Sequence, residues 1–391
     1  MMQLISFFKN HDYQITFASA CSKTDNATDL MAMAIDSVHI QLNHSSFDTF
    51  ILDLQPQIVL FDRFMTEEQF GWRVSQQCPQ ALKILDTEDL HFLRRARQDG
   101  VKHASESIEQ HLINDTTKRE IASIYRCDLS LIISKAEMRL LMNTFKLDPS
   151  LLLYVPFLLD PIPQDVKMAL PGFTSREHFI SIGNFLHEPN YDALLYLKQS
   201  IWKAIRKQLP TAELHNYGAY RSQKIDQLHN EKEGFLIKGF AENAREVMQG
   251  AKVLLAPLRF GAGLKGKLFD AMQSGTPFVS TTIGTEGIIE TDDDTMVVCD
   301  DPEKFVASAV ALYKDHTLWS AQQDFGFELL ESDFSKDDYI TKLTERLQCL
   351  MAGLETHRRQ NFIGQMLQHH TMQSTKYMSR WIEAKRSQNK A

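Results

Sequence analysis

The segment 257–280, PLRFGAGLKGKLFDAMQSGTPFVS, carries the residues best suited to binding a phosphate. Gly261 and Gly263 leave the backbone free to turn and to approach a ligand closely. A helix that follows such a turn directs its unpaired N–H groups at an anion. Lys265 and Lys267 add positive charge at the start of that helix. The spacing therefore predicts a phosphate-binding turn followed by a short basic helix.

The same segment divides into two faces when it is wound as a helix. Apolar residues recur at helical spacing from Leu264 to Met272, which predicts a face packed on a core. Lys267 and Asp270 lie on another face with Gly263, where a cation suits a diphosphate and a carboxylate suits sugar hydroxyls. The alternative is that Lys267 and Asp270 form a surface ion pair, which stabilises the helix by roughly a few tenths of a kcal/mol.

The composition limits what kind of protein this 391-residue chain can be. Its hydrophobic content of 43% is enough for two domains with their own cores. A formal net charge of -8 and a pI near 6.0 argue against a general nucleic-acid binder. Five scattered cysteines without metal-ligand spacing indicate reduced thiols and a cytoplasmic protein; they are Cys21, Cys78, Cys127, Cys299 and Cys349. No signal peptide or run of eighteen apolar residues is found, although peripheral attachment to the inner membrane face stays open.

Short apolar runs alternate with helical patterns along most of the chain, which predicts an α/β fold with parallel sheets. The predicted strands are 14–19, 58–61, 83–85 and 129–134 in a first series, and 179–182, 213–217, 235–238, 253–256, 278–281 and 296–298 in a second. Four prolines within 155–171 predict a linker between the two series. We therefore expect a Rossmann-like domain at 1–160, a second one at 172–350, and a helical tail at 351–391 that packs back on the first.

Several motifs of the second half resemble, in order and spacing, the nucleotide-binding domain of bacterial GT-B glycosyltransferases of the group 1, family 4-like type. They are SIGN at 181–184, PNYDA at 189–193, LPTAEL at 209–214, IKGF at 237–240, GAGLKGK at 261–267 and TIGTEGI at 282–288. The stretches 119–137 and 154–157 are similar to the end of the family's acceptor domain. The resemblance implies a GT-B fold, in which two Rossmann-like domains face a central cleft and C-terminal helices follow.

The resemblance also implies an activity, namely transfer of a sugar from a nucleotide diphosphate sugar to a glycan, lipid-linked or protein acceptor, as in polysaccharide biosynthesis. By analogy with relatives that carry the same glycine and lysine pattern, we expect a retaining transfer that needs no metal and no other cofactor. Two alternatives stay open. One is a non-catalytic protein that binds a sugar nucleotide or a glycan, and the other is a GT-B sugar-nucleotide epimerase.

The donor-binding residues implied by the resemblance are those that match the family motifs: Gly183, Asn184, Lys238, Gly239, Phe240, Gly261, Gly263, Asp270 and Glu286. Lys265 and Lys267 are expected to act in catalysis, because fixed positive charge stabilises a departing diphosphate.

The sequence departs from the family pattern at two charged positions. Ala262 stands where relatives have a glutamate, and Asn184 stands where many have an arginine. These departures shift donor recognition toward the two lysines and Asp270, with Glu286 as a further carboxylate.

On the acceptor side, His91 is the residue best suited to handle a proton or to orient the acceptor, because its reference pKa allows a change of charge near neutral pH. Glu88 and Asp89 precede it and complete the expected acceptor-side group. The alternative is an ordinary helix start that is capped by acidic residues.

Two further polar groups are not expected to bind a metal. The run Asp292 to Asp294 is interpreted as a solvent-exposed turn that precedes a strand. His369 and His370 are adjacent, so on a helix they point about 100° apart and cannot share a ligand. The sequence therefore predicts no metal site.

The beginning of the chain resembles the first helix and second strand of the fold, without the first strand and its glycine-rich acceptor loop. We expect an internal start to explain this. The alternative, a sheet that lacks a central strand, would expose a sheet edge.

Overall fold

A computed structural model of the chain describes residues 1–22, 27–103, 108–289 and 297–388, apart from the side chains of 371–373. The helices are α1 (Met2–Asn10), α2 (Ser46–Leu54), α3 (Phe64–Gln77), α4 (His91–Lys102), α5 (Ile108–Leu112), α6 (Asp115–Arg126), α7 (Lys135–Asn143), α8 (Gln164–Ala169), α9 (Glu188–Tyr196), α10 (Trp202–Gln208), α11 (Gln223–Asp226), α12 (Ala244–Gly250), α13 (Gly266–Gln273), α14 (Thr282–Thr285), α15 (Pro302–Lys314), α16 (His316–Asp333), α17 (Lys336–Gln360) and α18 (Phe362–Gln388).

Within the described ranges the strands form three sheets, in which neighbouring strands are parallel. They are β1 (Thr16–Ser19), β2 (Asp36–His39), β3 (Ile58–Asp62), β4 (Leu82–Asp86), β5 (Leu129–Ile132), β6 (Leu152–Tyr154), β7 (Glu177–Ile182), β8 (Leu214–Tyr217), β9 (Phe235–Gly239), β10 (Ala251–Ala256) and β11 (Phe278–Ser280). The sheet orders are β1-β2, β3-β4-β5-β6 and β11-β10-β7-β8-β9. The predicted α/β class with parallel sheets is confirmed.

The chain divides into two compact units, 1–90 with 114–158 and 337–391, and 91–113 with 159–336. The first unit is built on the sheet β3 to β6. Its core joins Ile84 and Leu131 of the central strands to Phe7 of α1 and to Leu343 and Leu347 of α17, all nearly fully buried. The helices from 337 onward thus belong to this unit, together with α1.

The second unit is built on five strands whose order reverses next to β7. The chain lays β8 and β9 on one side of β7, and then returns to lay β10 and β11 on the other. The central strands are buried on both faces, as the apolar runs 253–256 and 179–180 require. Such a reversal leaves a crevice at the carboxyl ends of the two strands where it occurs, here β7 and β10.

Three features of the strand pattern differ from the sequence prediction. β1 pairs with the unpredicted β2 in a separate small sheet, and both strands are half-exposed. β6, a strand of three residues that directly precedes the predicted linker, was not predicted. Met296 lies outside the described residues, and Val298 makes an isolated bridge with Ser280.

Arg358, near the end of α17, ties the C-terminal helices to the first sheet. Its Nε and Nη2 donate to the two carboxylate oxygens of Asp128, both at 2.7 Å, and Nη2 also donates to the Ala81 carbonyl at 2.7 Å. The Asp128 side chain is only 4% exposed and also accepts from the Lys83 N–H at 2.8 Å. A carboxylate this buried depends on a paired cation.

Replacing Arg358 with alanine leaves that carboxylate without its cation, so we expect the free energy of unfolding to fall by about 3 kcal/mol. The neighbouring Arg359 is the matched control, because its side chain is 72% exposed and pairs with Glu355 one turn away. Arg359→Ala should cost less than about 0.5 kcal/mol. Urea unfolding of both variants measures the difference, and equal losses would contradict this role of Arg358.

Candidate functional site

The predicted donor-binding residues gather at the carboxyl edge of the second sheet. Because all five strands are parallel, the segments that leave them meet at one edge. Gly183 and Asn184 follow β7, Lys238 and Gly239 end β9 with Phe240 next, Gly261 and Gly263 follow β10, Asp270 lies on α13, and Glu286 follows α14. The crevice between β7 and β10 lies at the middle of this set.

The glycine turn after β10 has the backbone geometry that its sequence predicts. Gly261 has a φ of 152° and Gly263 a φ of 62°, both in the region that favours glycine. The Lys265 ammonium donates to the Gly263 carbonyl at 2.6 Å and to the Ala262 carbonyl at 3.1 Å. Lys265 therefore stabilises the turn from within, a role that sequence spacing did not indicate.

Lys267 lies in the first turn of α13 and reaches across the crevice. Its Nζ donates to the Asn190 side-chain oxygen at 2.8 Å, and Asn190 on α9 donates in turn to the Asn184 carbonyl at 3.1 Å. Burial, and then the neighbouring Lys265 ammonium, lower the pKa of Lys267 to about 8. A partly desolvated cation of this kind is stabilised when an anion arrives beside it.

Asn190 is a site residue that the sequence analysis did not single out, although it lies in the PNYDA motif. It joins the loop after β7 to α13 through its two hydrogen bonds. A Cβ on Gly183 would lie 2.6 Å from the Asn190 side-chain nitrogen. A Cβ on Gly218, after β8, would lie 2.3 Å from the Gly183 carbonyl oxygen. Gly218 therefore has no room for a side chain, and a side chain at Gly183 would displace the Asn190 amide.

Arg97 is the second residue that the sequence analysis did not assign to the site. It lies on α4, which groups with the second unit. Its guanidinium donates to both Glu286 oxygens, at 2.6 and 2.8 Å, and to the Gly261 carbonyl at 2.8 Å. Both side chains of the ion pair are largely buried. Arg97 thus fixes the glycine turn and the TIGTEGI loop together, and Glu286 has a cationic partner on the protein itself.

Asp270 follows Lys267 by one helical turn of α13. Burial raises the pKa of its carboxyl group, and the Arg245 charge opposes that rise. Gly239, at the end of β9, has a φ of 82° and accepts a hydrogen bond from the Gly218 N–H at 2.7 Å. Lys238 and Phe240 beside it are exposed. The structure thus presents a carboxylate on α13 and an exposed aromatic ring beyond β9.

The predicted acceptor-side residues are divided between the two units. Glu88 and Asp89 belong to the first unit, where the Glu88 carboxylate lies 3.3 Å from the Met1 amino group. Burial, and then the Glu88 charge, raise the pKa of nearby Asp86 to about 6. His91 begins α4 in the second unit. The acceptor-side roles of these residues stay predictions.

No metal-binding group appears among the residues that the structure describes: no cluster of three or more His, Cys, Asp or Glu side chains is placed to hold an ion. Asp292, Asp293 and Asp294 lie outside those residues. His369 and His370 are both exposed, with ring planes 82° apart. None of the five cysteines, all of which lie within the described residues, forms a disulfide.

Residues 176–315 match the family model described as glycosyl transferases group 1. This range holds the reversed sheet, the glycine turn, Lys267 and Glu286. A search of curated protein sequences finds no significant match to the chain.

Solved structures with similar backbones include TarM of S. aureus, pneumococcal O-GlcNAc transferase GtfA and Anabaena HepE. TarM is 13% identical over 76% of this chain and 57% of its own, with a TM-score of 0.59. GtfA is 15% identical over 78% of this chain and 60% of its own, with a TM-score of 0.59. HepE is 11% identical over 89% of this chain and 95% of its own, with a TM-score of 0.63.

The TarM structure contains UDP, Fondaparinux and alpha-GlcNAc-glycerol, the GtfA structure UDP and GlcNAc, and the HepE structure UDP and glucose. This chain spans less than two thirds of TarM and of GtfA. WaaG, a glycosyltransferase involved in lipopolysaccharide biosynthesis, matches with a TM-score of 0.55. The predicted GT-B fold is therefore confirmed, and residues 176–315 of this chain are similar to the glycosyl transferases group 1.

Proposed function

We propose that this protein transfers a sugar from a nucleotide diphosphate sugar to a glycan, lipid-linked or protein acceptor. The observation that carries the proposal is the Lys267 ammonium in the crevice between β7 and β10, beside a glycine turn that opens α13. Cleavage of a sugar–phosphate bond leaves extra negative charge on the diphosphate. Fixed cations and N–H donors at that point stabilise the transition state.

Other residues at the carboxyl edge of the second sheet suit the ribose and the base of a nucleotide diphosphate sugar. The Asp270 carboxylate offers several acceptor positions for paired ribose hydroxyls. Gly239 and Phe240 suit a nucleobase, since Gly239 lets a ligand approach the backbone and Phe240 exposes a ring. Uridine is the base we propose, because TarM, GtfA and HepE were each solved with UDP.

Retention of the anomeric configuration and independence from metals are parts of the same proposal. In it, Lys267 and the N–H groups at the start of α13 balance the charge of the diphosphate. We therefore expect chelation with EDTA to leave the turnover rate unchanged, and the product to keep the anomeric configuration of the donor, as NMR of the product would report. Loss of turnover on chelation, restored by Mg²⁺, would refute the metal-independent part.

Turnover of a panel of nucleotide sugars tests the activity itself. The protein is incubated with each donor, with and without a crude acceptor extract, and release of the nucleoside diphosphate is followed. We expect release with a UDP-sugar that rises when acceptor is added. Donor binding without release would favour a non-catalytic binder, and neither binding nor release would overturn the proposal.

Lys267→Met keeps the length of the side chain and removes its charge, so we expect kcat/KM to fall more than tenfold, on the order of 1.4 kcal/mol of transition-state stabilisation. Lys267→Arg should retain more activity than Lys267→Met. Lys203→Met, at an exposed position on α10, is the matched control and should match the wild type. An unchanged kcat/KM in Lys267→Met would remove Lys267 from the site.

Arg97→Ala should weaken UDP binding by about tenfold, because it frees the Gly261 carbonyl and leaves Glu286 without its partner. Arg97→Lys should restore part of the affinity. The control is Gln98→Ala, the next residue on α4, whose half-buried side chain donates to Glu188 at 2.5 Å. Calorimetric titration with UDP measures all three variants. Equal affinities in Arg97→Ala and the wild type would show that the guanidinium does not position this site.

A further inference from the structure

The last helix, α18, exposes apolar side chains in two groups on one side, at 362–366 and at 377–381. They are Phe362, Ile363, Met366, Tyr377, Met378 and Trp381, each between 43% and 66% exposed. These positions recur at helical spacing, so they share one side of the helix. At about 1.5 Å per residue the two groups together span roughly 30 Å, with polar residues such as the exposed His370 between them. We call the two groups together the α18 stripe.

The opposite side of α18 packs on the rest of the first unit, and polar residues on that side form hydrogen bonds with it. A Cβ on Gly364 would lie 2.2 Å from the Tyr125 carbonyl oxygen, so the backbones are in close contact. Ser379 is 2% exposed and accepts from Arg73 at 3.0 Å. Glu383 accepts from the Ser45 N–H at 2.9 Å and from its hydroxyl at 2.6 Å. The apolar side of the helix therefore faces outward, the reverse of an ordinary surface helix.

The charges of α18 differ in sign from those of the whole chain. The chain has 42 Lys and Arg against 50 Asp and Glu, whereas α18 has four basic residues and one acidic residue. The basic residues are Lys376, Arg380, Lys385 and Arg386, and the acidic one, Glu383, is turned toward Ser45. The Lys385 ammonium lies 5.0 Å from the centre of the Trp381 ring. Lys376, Arg380 and Lys385 thus lie next to the second apolar group in sequence, whereas Arg386 donates to the Leu42 carbonyl at 3.4 Å.

We propose that α18 docks on an anionic phospholipid surface. Trp and Tyr side chains suit the boundary between headgroups and acyl chains, and Lys and Arg beside them attract anionic headgroups. A second copy of the same face is disfavoured because it would bring like charges together. Among the described residues no helix is long and apolar enough to cross a bilayer, so α18 lies along the surface. This inference does not depend on the proposed sugar transfer.

Vesicle sedimentation tests the docking directly. We expect the full chain to bind vesicles of phosphatidylcholine mixed with phosphatidylglycerol, to bind pure phosphatidylcholine at least tenfold more weakly, and to be released by high salt. The double variant Tyr377→Ser/Trp381→Ser and the charge variant Arg380→Glu/Lys385→Glu should each lose at least tenfold in binding to the anionic vesicles.

The matched control is Val166→Ser/Met168→Ser on α8, where both side chains are exposed outside the α18 stripe. It should bind vesicles as the wild type does. UDP affinity and thermal unfolding of every variant, measured in parallel, separate lost docking from lost folding. Absence of binding to anionic vesicles would overturn the proposal. So would a wild-type dimer in light scattering that Trp381→Ser converts to monomer, because the stripe would then bind a second copy.

Discussion

The reversal of strand order between β7 and β10 is the constraint on which the candidate site depends. Strands on either side of a reversal send their following segments in opposite directions, so their carboxyl ends leave an open crevice. In this chain α9, which carries the PNYDA motif, follows one of these strands and the glycine turn follows the other. Lys267 and Asn190 bridge the two at 2.8 Å. Without the reversal, the same residues would lie beneath a crossover connection.

A cation held in such a crevice must be both desolvated and kept in place. Lys267 meets the first condition through burial, which lowers its pKa, and the second through Asn190. The turn beside it is fixed by Lys265 from within and by Arg97 from α4. Two of the three cations therefore hold the backbone, and one is left to meet an anion. In the proposed donor site, Lys267 is then the cation that meets the diphosphate, while Asn184 and Ala262 occupy positions at which the family resemblance implies charged groups.

Most of the second unit could be predicted from the sequence, because buried parallel strands such as β7 and β10 appear as short apolar runs and the glycine turn requires glycine itself. Arg97 could not, since its partner Glu286 lies 189 residues away and local spacing carries no signal over that distance. Asn190 was missed for the same reason, as it lies 77 residues from Lys267. The Lys265 ammonium donates to the Gly263 carbonyl within its own turn, and residue spacing alone does not predict that contact. The strand β2 was missed because its sequence, DSVH, contains no apolar run, and β6 because it directly precedes the proline-rich segment interpreted as a linker.

The most direct measurement is the affinity for UDP at about pH 7 and about pH 9, in the wild type and in Lys267→Arg. The Lys267 ammonium has a pKa of about 8, so it is mostly charged at the lower pH and mostly neutral at the higher one. Arginine keeps its charge at both. We expect wild-type affinity to fall about tenfold between the two pH values, and the affinity of Lys267→Arg to change much less. An equal fall in both proteins, or no fall in the wild type, would contradict a diphosphate site at Lys267.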